Sequence, residues 1–320
     1  MKVIIDCFGP DLGPGVMIEG ASLYAAEKDF YPIFIGNEDQ IKEELVKYSF
    51  KDYEIIHTDT YIENTEEPTR ALRKKKDSSL VMALTLLKEG KADAVLSAGS
   101  TGGLLAGGLF LIGRKDGVER ACLPVPIPKA KGHVCLLDAG ANVDCSVDVI
   151  HSFAKMGADY VQKVYSVDQP KVYLLNIGLE PGKGNKQTKE SFERLSQDPN
   201  LNFKGNIEAR DVFNTDADVI VCDGFVGNIF LKTMEGFAEF IFSNFKNFLP
   251  KDSESQEKNP LSEKMIQLKD LFDYKAVGAV PLLGIKGLVF KAHGSSNAKA
   301  IYSSLKQIDQ AINHKLVDEC

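Results

Sequence analysis

Short β-branched runs alternate with helically spaced apolar residues along the chain, and this alternation restricts the fold more than any other feature. Strands separated by helices need a crossover to pair, so they pair in parallel and the helices cover the sheet faces. Strand patterns occupy residues 3–5, 33–36, 53–58, 92–97, 134–138, 171–176, 219–222 and 289–292. Helical spacing covers 16–28, 41–48 and 79–89, and a further helix is expected from Asn297. The class read from these elements is α/β, a mostly parallel sheet with helices on its faces. A chain of 320 residues can bury a sizeable core, as one large α/β domain or as two intimately joined ones.

Composition excludes several alternatives. Hydrophobic residues make up 44% and charged residues 26%, which argues for a folded soluble domain and against global disorder. A net charge of -7 offers no basic face, so nucleic acid is not an expected partner. A local anion site remains open, because backbone N–H groups bind anions without net positive charge. The longest apolar stretch, residues 102–113, falls short of the ~18 residues that a bilayer span requires. No transmembrane segment is expected, while attachment to a membrane surface stays open. The segment Met1-Lys2-Val3-Ile4-Ile5-Asp6 reads as a first strand and not as a signal peptide. The six cysteines show no C-x-x-C spacing and several lie in apolar runs, which points to reduced, buried thiols in a reducing compartment.

One segment breaks the alternation. Residues 250–260 are polar, bounded by Pro250 and Pro260 and without apolar periodicity, so they read as an exposed loop. Phe237, Ile241, Phe245 and Phe248 form a helical stripe before it, and Leu261, Met265, Leu268 and Phe272 form one after it. The expected organisation is one domain over 1–320, from which residues 234–273 project as a helical hairpin.

Ligands of open α/β sheets bind at the carboxyl ends of the strands, and several strand patterns here end in a small or acidic residue followed by glycines. The first such loop holds Asp6, Gly9, Pro10, Asp11 and Gly13, and reads either as an ordinary turn or as backbone presented to a ligand. The second, Gly99-Ser100-Thr101-Gly102, opens a helix whose free N–H groups suit a phosphate; it is neither a Walker loop nor a dinucleotide fingerprint. In the third, Asn176, Gly178, Lys183 and Lys186 crowd a strand end. Lys183 between glycines can neutralise phosphate or polarise an oxyanion, or be a solvated basic turn. In the fourth, Asp223-Gly224-Phe225-Val226-Gly227-Asn228, Asp223 can cap the following helix, Asn228 in its first turn can donate to a carbonyl oxygen, and Asn228 and Lys232 share a helical face. The fifth contains His293 and Ser295, with His293 read as a general base, a phosphate ligand or a loop-orienting group. No G-x-S-x-G elbow and no H-E-x-x-H or Cys/His cluster occurs, so a serine hydrolase and a zinc site are not expected.

Taken in order, these loops resemble the PlsX phosphate acyltransferases, which transfer acyl groups from acyl-carrier protein to phosphate. The resemblance rests on Glu67-Pro68-Thr69-Arg70-Ala71-Leu72-Arg73, on Ser97-Ala98-Gly99-Ser100-Thr101-Gly102 and on Leu137-Asp138-Ala139-Gly140-Ala141-Asn142-Val143-Asp144. It continues through Leu175-Asn176-Ile177-Gly178, Gly205-Asn206-Ile207-Glu208-Ala209-Arg210-Asp211, Cys222-Asp223-Gly224-Phe225-Val226-Gly227-Asn228 and Ala292-His293-Gly294-Ser295-Ser296-Asn297. It implies a Rossmann-like fold related to phosphotransacetylases and isopropylmalate dehydrogenases, with helices on both sheet faces. It further implies a homodimer, acyl-carrier protein as acyl donor, inorganic phosphate as acceptor and a long-chain acyl phosphate for phospholipid synthesis. Neither metal nor nucleotide cofactor is implied, and the location is the cytoplasm, loosely against the inner face of the membrane. On this reading Lys183, Asn228 and His293 are catalytic. Asp6, Gly9, Asp11, Gly99, Ser100, Thr101, Gly102, Asn142, Asn176, Gly178, Lys186, Asp223, Gly227 and Ser295 bind the substrates. The family's first loop reads D-x-x-G-G-D-H-A-P; here Pro10 replaces the second glycine and Leu12 the histidine, which removes one backbone N–H and one titratable group. Ser100 stands where the family has asparagine. A coenzyme A-dependent phosphotransacylase, a non-catalytic membrane-docking protein and an NAD-dependent decarboxylating dehydrogenase are the alternatives on the same fold.

Overall fold

The computed structural model describes residues 1–245 and 278–317, without the side chain of Phe245. The loop at 250–260, the stripe from Leu261 to Phe272 and most of the expected 234–273 hairpin lie outside the described residues. The first part of the chain runs through β1 (Lys2–Asp6), α1 (Gly15–Ala25), β2 (Tyr31–Gly36), α2 (Glu38–Leu45), β3 (Glu54–His57), α3 (Pro68–Lys74), α4 (Ser79–Lys88), β4 (Ala94–Ser97) and α5 (Thr101–Gly107). There follow β5 (Val125–Pro128), β6 (His133–Leu137), α6 (Val147–Tyr165), β7 (Lys171–Asn176), α7 (Lys186–Ser196), β8 (Asn202–Glu208), β9 (Val219–Val221) and α8 (Gly224–Phe245). The chain closes with β10 (Val280–Pro281), β11 (Leu288–Lys291) and α9 (Ala298–Asn313).

The strands divide between two sheets, a 6-stranded one ordered β10-β11-β4-β1-β2-β3 and a 5-stranded one ordered β5-β6-β9-β7-β8. Every pairing is parallel except β10 with β11 and β5 with β6. The α/β class and its parallel character stand as expected. The apolar pattern alone does not decide which strands share a sheet. It also leaves β5 and β8 unassigned; in β8, residues 202–208, Ile207 is the only β-branched residue. Nor does it assign α3, α6 and α7.

Period-2 alternation explains how β1 is covered. Val3 and Ile5 pack into a cluster with Met17, Ile18 and Ala21 of α1 and Ile301, Leu305 and Ile308 of α9. Ile4 points the other way, against Leu80, Ala83 and Leu84 of α4. All three β1 residues are fully buried, each contributing about 1.5–3 kcal/mol. In the second sheet Leu137, Val219 and Val221 meet Val149, Phe153 and Ala154 of α6, while Leu136, Ile220 and Cys222 meet Leu231 and Met234 of α8. The cluster under β1 continues into the face covered by α6. The two sheets thus share a core, and the carboxyl ends of β4, β11 and β6 open onto one cavity.

Candidate active site

That cavity, of about 370 Å³, lies between the sheets. The first sheet contributes Thr101 at the start of α5 and Lys291, Ala292 and His293 at the end of β11; the second contributes Asp138, Ala139 and Gly140 after β6, and Asn228 and Lys232 from α8. Leu123, Val125, Leu231, Met234 and Val280 supply an apolar wall.

In the first sheet the loops are pinned by a buried carboxylate. Asp6 Oδ2 accepts the Ser97 hydroxyl at 2.7 Å and Oδ1 accepts the Phe8 N–H at 3.1 Å, while Ser97 Oγ accepts the Gly99 N–H at 3.0 Å. Burial pushes the Asp6 carboxyl up, and hydrogen bonds from Ser97, Ser79 and Phe8 together with Lys291 draw it back. Gly9 adopts φ +105°, and a Cβ there would sit 2.4 Å from the Cα of Gly99, so the first two loops touch backbone to backbone. The Asp11 N–H donates to the Gly294 carbonyl at 2.8 Å, which ties in the His293 loop. Ser100 is buried and its hydroxyl caps α5 by accepting the Gly103 N–H, whereas Thr101 is exposed to the cavity. Pro10 closes a turn with Gly13, and Leu12 is 65% exposed and does not line the cavity. His293 Nδ1 accepts the Ser295 N–H at 3.2 Å and lies 2.8 Å from Ser295 Oγ. A ring nitrogen that accepts carries no proton, so neutral His293 is protonated on Nε2 and serves as a donor there.

In the second sheet Asp138 organises the loop after β6. It is completely buried; its Oδ2 accepts from the Asn142 backbone N–H and from Asn142 Nδ2 at 3.1 Å. Asp138 Oδ1 makes no well-formed hydrogen bond among the described residues. Burial pushes this carboxyl up as well, countered by Asn142 and the N–H groups of Ala141 and Ala139. Asn142 also donates to Ala121 O at 2.9 Å, so its amide is committed to holding the loop. Gly227 packs on that loop so closely that a Cβ would sit 1.9 Å from the Asp138 carbonyl oxygen. Asp223 caps α8 by accepting the Val226 N–H at 2.8 Å. Asn228, one helical step further, projects past Gly140 into the cavity. Lys232 pairs with Glu235 at 2.7 Å.

The loop after β7 is separate. Asn176 donates to Lys183 O at 3.2 Å and accepts the Ile177 N–H at 2.8 Å, and Gly178 lies against the Lys183 side chain. Lys183 and Lys186 are exposed; neither lines the cavity, and Lys186 faces Glu190 at 3.8 Å. Gln187 donates to Cys145 O and joins this loop to the one after β6. The structure therefore gathers Thr101, Asn228 and His293 around one cavity. It places Asp6, Gly9, Asp11, Gly99, Ser100, Gly102, Asn142, Asp223, Gly227 and Ser295 in the framework of the bordering loops, and sets Asn176, Gly178, Lys183 and Lys186 on a neighbouring loop. Sequence reasoning passes over Asp138 and Lys291 as site residues. An aspartate directly before Ala139-Gly140 was a usable signal for the first; Lys291, inside a strand pattern, gave none.

The five described cysteines are free and buried, and burial pushes each thiol up, Cys145 to about 11. None is poised as a thiolate nucleophile at neutral pH. Among the described residues no group of three or more His, Cys, Asp or Glu side chains is placed to hold a metal ion, and no helix is long and apolar enough to cross a membrane.

Comparison with known proteins adds to this geometry. The family described as fatty acid synthesis protein matches residues 1–318. A phosphate acyltransferase from Clostridioides difficile (strain 630) is 45% identical over 323 residues, covering 100% of this chain and 95% of the relative. One from Bacillus cereus (strain G9842) is 42% identical over 320 residues, covering 99% of this chain and 96% of the relative. Among solved structures, a phosphotransacetylase from Streptococcus pyogenes superimposes with a TM-score of 0.64 at 18% identity, covering 98% of this chain and 94% of that one. A branched-chain phosphotransacylase from Enterococcus faecalis V583 gives 0.60 at 15% identity, covering 98% and 100%. At those identities the structures speak for a shared Rossmann-like α/β fold.

Proposed function

The chain belongs to the fatty acid synthesis protein family and is an acyltransferase, and from that premise we propose that it moves a long-chain acyl group from an acyl-carrier-protein thioester to inorganic phosphate. The product is an acyl phosphate for phospholipid synthesis. The observation that carries this reading is the two-sided lining of the cavity. Leu123, Val125, Leu231, Met234 and Val280 offer a wall to a hydrocarbon chain, while Thr101, Asn228 and His293 converge at the same cavity.

Phosphate sits beside the 99–102 loop and one of its oxygens attacks the thioester carbonyl. The new C–O bond forms as the carbonyl becomes an oxyanion; the oxyanion then collapses, the C–S bond breaks and the thiolate leaves to take up a proton. No acyl-enzyme is needed, because an oriented phosphate is itself the nucleophile, and positioning of this kind supplies roughly 7–11 kcal/mol. Asn228 donates to the oxyanion and His293 donates through Nε2–H to phosphate. Lys183 stands outside the cavity on the exposed loop after β7, and its role as second donor to the oxyanion requires that side chain to reach the bound thioester from there. The exposed apolar residues of α8, among them Phe225, Ile229, Phe237 and Phe240, are assigned to a homodimer contact and to loose attachment at the inner face of the membrane.

Incubation of the protein with long-chain acyl-carrier protein and labelled phosphate tests the reading, with label expected in acyl phosphate. Coenzyme A thioesters offered side by side decide the donor. Asn228→Ala and Lys183→Ala each lower turnover by an amount equivalent to about 2.7–4 kcal/mol with unchanged melting curves. Near-normal turnover in either variant removes that residue's role, and absence of labelled acyl phosphate from the wild type removes the function.

A further inference from the structure

Lys291 is the last residue of β11 and lines the cavity next to Thr101 and His293. Its ammonium donates to the carbonyl of Ala98 at 3.1 Å and to that of Ala292 at 2.5 Å. Ala98 follows β4 and Ala292 follows β11, so the side chain joins two loops that border the cavity. Its third ammonium proton has no acceptor among the described residues. Burial lowers its pKa to about 8, and Asp6 on β1 and Asp11 in the loop after it pull in the opposite direction. Asp6, Asp11 and His293 are the titratable groups around it, and neither carboxylate lies within ion-pair distance.

A lysine that only tied two carbonyls together would gain stronger, charge-assisted hydrogen bonds and a favourable field at Asp6, set against the cost of its burial. A neutral amide could donate to both oxygens, and burying a full charge is costly. Part of that charge offsets the buried Asp6 carboxyl, but no carboxylate among the described residues reaches the ammonium, so its remaining proton and charge are available to an anion that arrives in the same space. We propose that Lys291 binds an anionic oxygen of the phosphate substrate with its third proton, while the other two hold the Ala98 and Ala292 carbonyls in place. This deepens, and rests on, the acyl transfer to phosphate described above. It makes the β11 end the cationic side of the cavity, a role for which Lys232, already paired with Glu235, is less suited.

The test uses inorganic phosphate alone, titrated into the full-length protein in a calorimeter without acyl donor. It therefore stands apart from turnover: a wild type that binds phosphate yet forms no acyl phosphate sinks the assigned reaction and leaves the Lys291 assignment intact. Lys291→Met is expected to weaken phosphate binding roughly tenfold or more, the loss of a hydrogen bond to a charged group. In turnover it raises KM for phosphate and leaves KM for the acyl thioester within about twofold. Wild-type phosphate affinity falls as pH rises through about 8, where the ammonium loses its proton. In Lys291→Arg, which retains binding, this alkaline fall disappears because guanidinium stays charged. If Lys291→Met does not fold, Lys291→Gln and Lys291→Arg carry the same titration and pH series. Unchanged phosphate affinity in the neutral variant, or a wild-type affinity that does not fall above pH ~8, overturns the proposal.

Discussion

Asp6 and Asp138 occupy equivalent places in the two sheets, one ending β1 and the other directly following β6, yet they are finished differently. Each is a buried carboxylate that accepts the N–H of a residue further along its own loop. Around Asp6 the network is closed: both oxygens accept, from Phe8 and Ser97, and Ser97 accepts in turn from Gly99. Around Asp138 it is half open. Oδ2 takes both Asn142 donors, and the buried Oδ1 is without a well-formed hydrogen bond among the described residues. The lesson is that one strand-end device builds two kinds of wall. The first sheet uses its carboxylate as scaffold for loops that present Lys291 and His293. The second places its carboxylate in the cavity lining, beside Asn228.

The largest effect expected from breaking this comparison concerns the second wall. Gly227→Ala would drive a Cβ into the Asp138 carbonyl, a backbone atom that cannot swing away, and should cost about 3 kcal/mol of stability by urea denaturation. An unchanged midpoint would mean that α8 is not clamped to the Asp138 loop. Next come the isosteric amides. Asp6→Asn must turn its NH₂ toward Phe8 N–H or toward the Ser97 hydroxyl, and both already donate. A loss of about 2 kcal/mol is expected, because a buried donor is left unmatched. Asp138→Asn can keep its carbonyl on the Asn142 donors and place NH₂ where Oδ1 has no good partner. One buried donor is left unmatched but no well-formed bond is broken and no buried charge remains, so its stability should fall by only about 1 kcal/mol, less than in Asp6→Asn. Equal losses in both variants would erase the distinction between a closed and a half-open network.

How far this contrast was legible in the sequence depends on the range of the interactions. Val3, Ile4 and Ile5 announce a strand buried on both faces, and the alternation with helices fixes the α/β class, because those signals span only a few residues. Gly9, Gly99, Gly140 and Gly227 mark the strand-end loops for the same local reason. The division into two sheets is not legible: β1 pairs with β4, and β6 with β9, across long stretches of intervening chain. Lys291 is hidden more deeply still. In the strand pattern 289–292 it reads as one more strand residue. Only the folded chain brings Ala98, 193 positions away, beneath its ammonium. Lys183 shows the converse, since its glycine-flanked loop is conspicuous in the sequence while its separation from the Asn228 cavity follows from which strand carries the loop.

The smallest effect is a pH dependence, and its sign discriminates. Burial raises the Asp138 carboxyl above its ordinary 3.8, so the folded chain holds that proton more tightly than the unfolded chain does. Stability from this group is complete below 3.8 and is lost as pH rises through the folded-state pKa. Asp138→Asn has no such proton to lose. Its unfolding free energy, minus that of wild type, should therefore climb from near pH 3.8 upward and then level off. The difference curve is the right measurement, because Asp198 pulls the other way. The Asn200 N–H and His151 hold that carboxyl below its ordinary range, and its contribution is lost as pH falls. Subtraction cancels Asp198 and leaves Asp138. A flat difference would mean that the Asp138 carboxyl is not raised by burial, and the half-open wall would then have to be redrawn with both oxygens fully hydrogen-bonded or solvated.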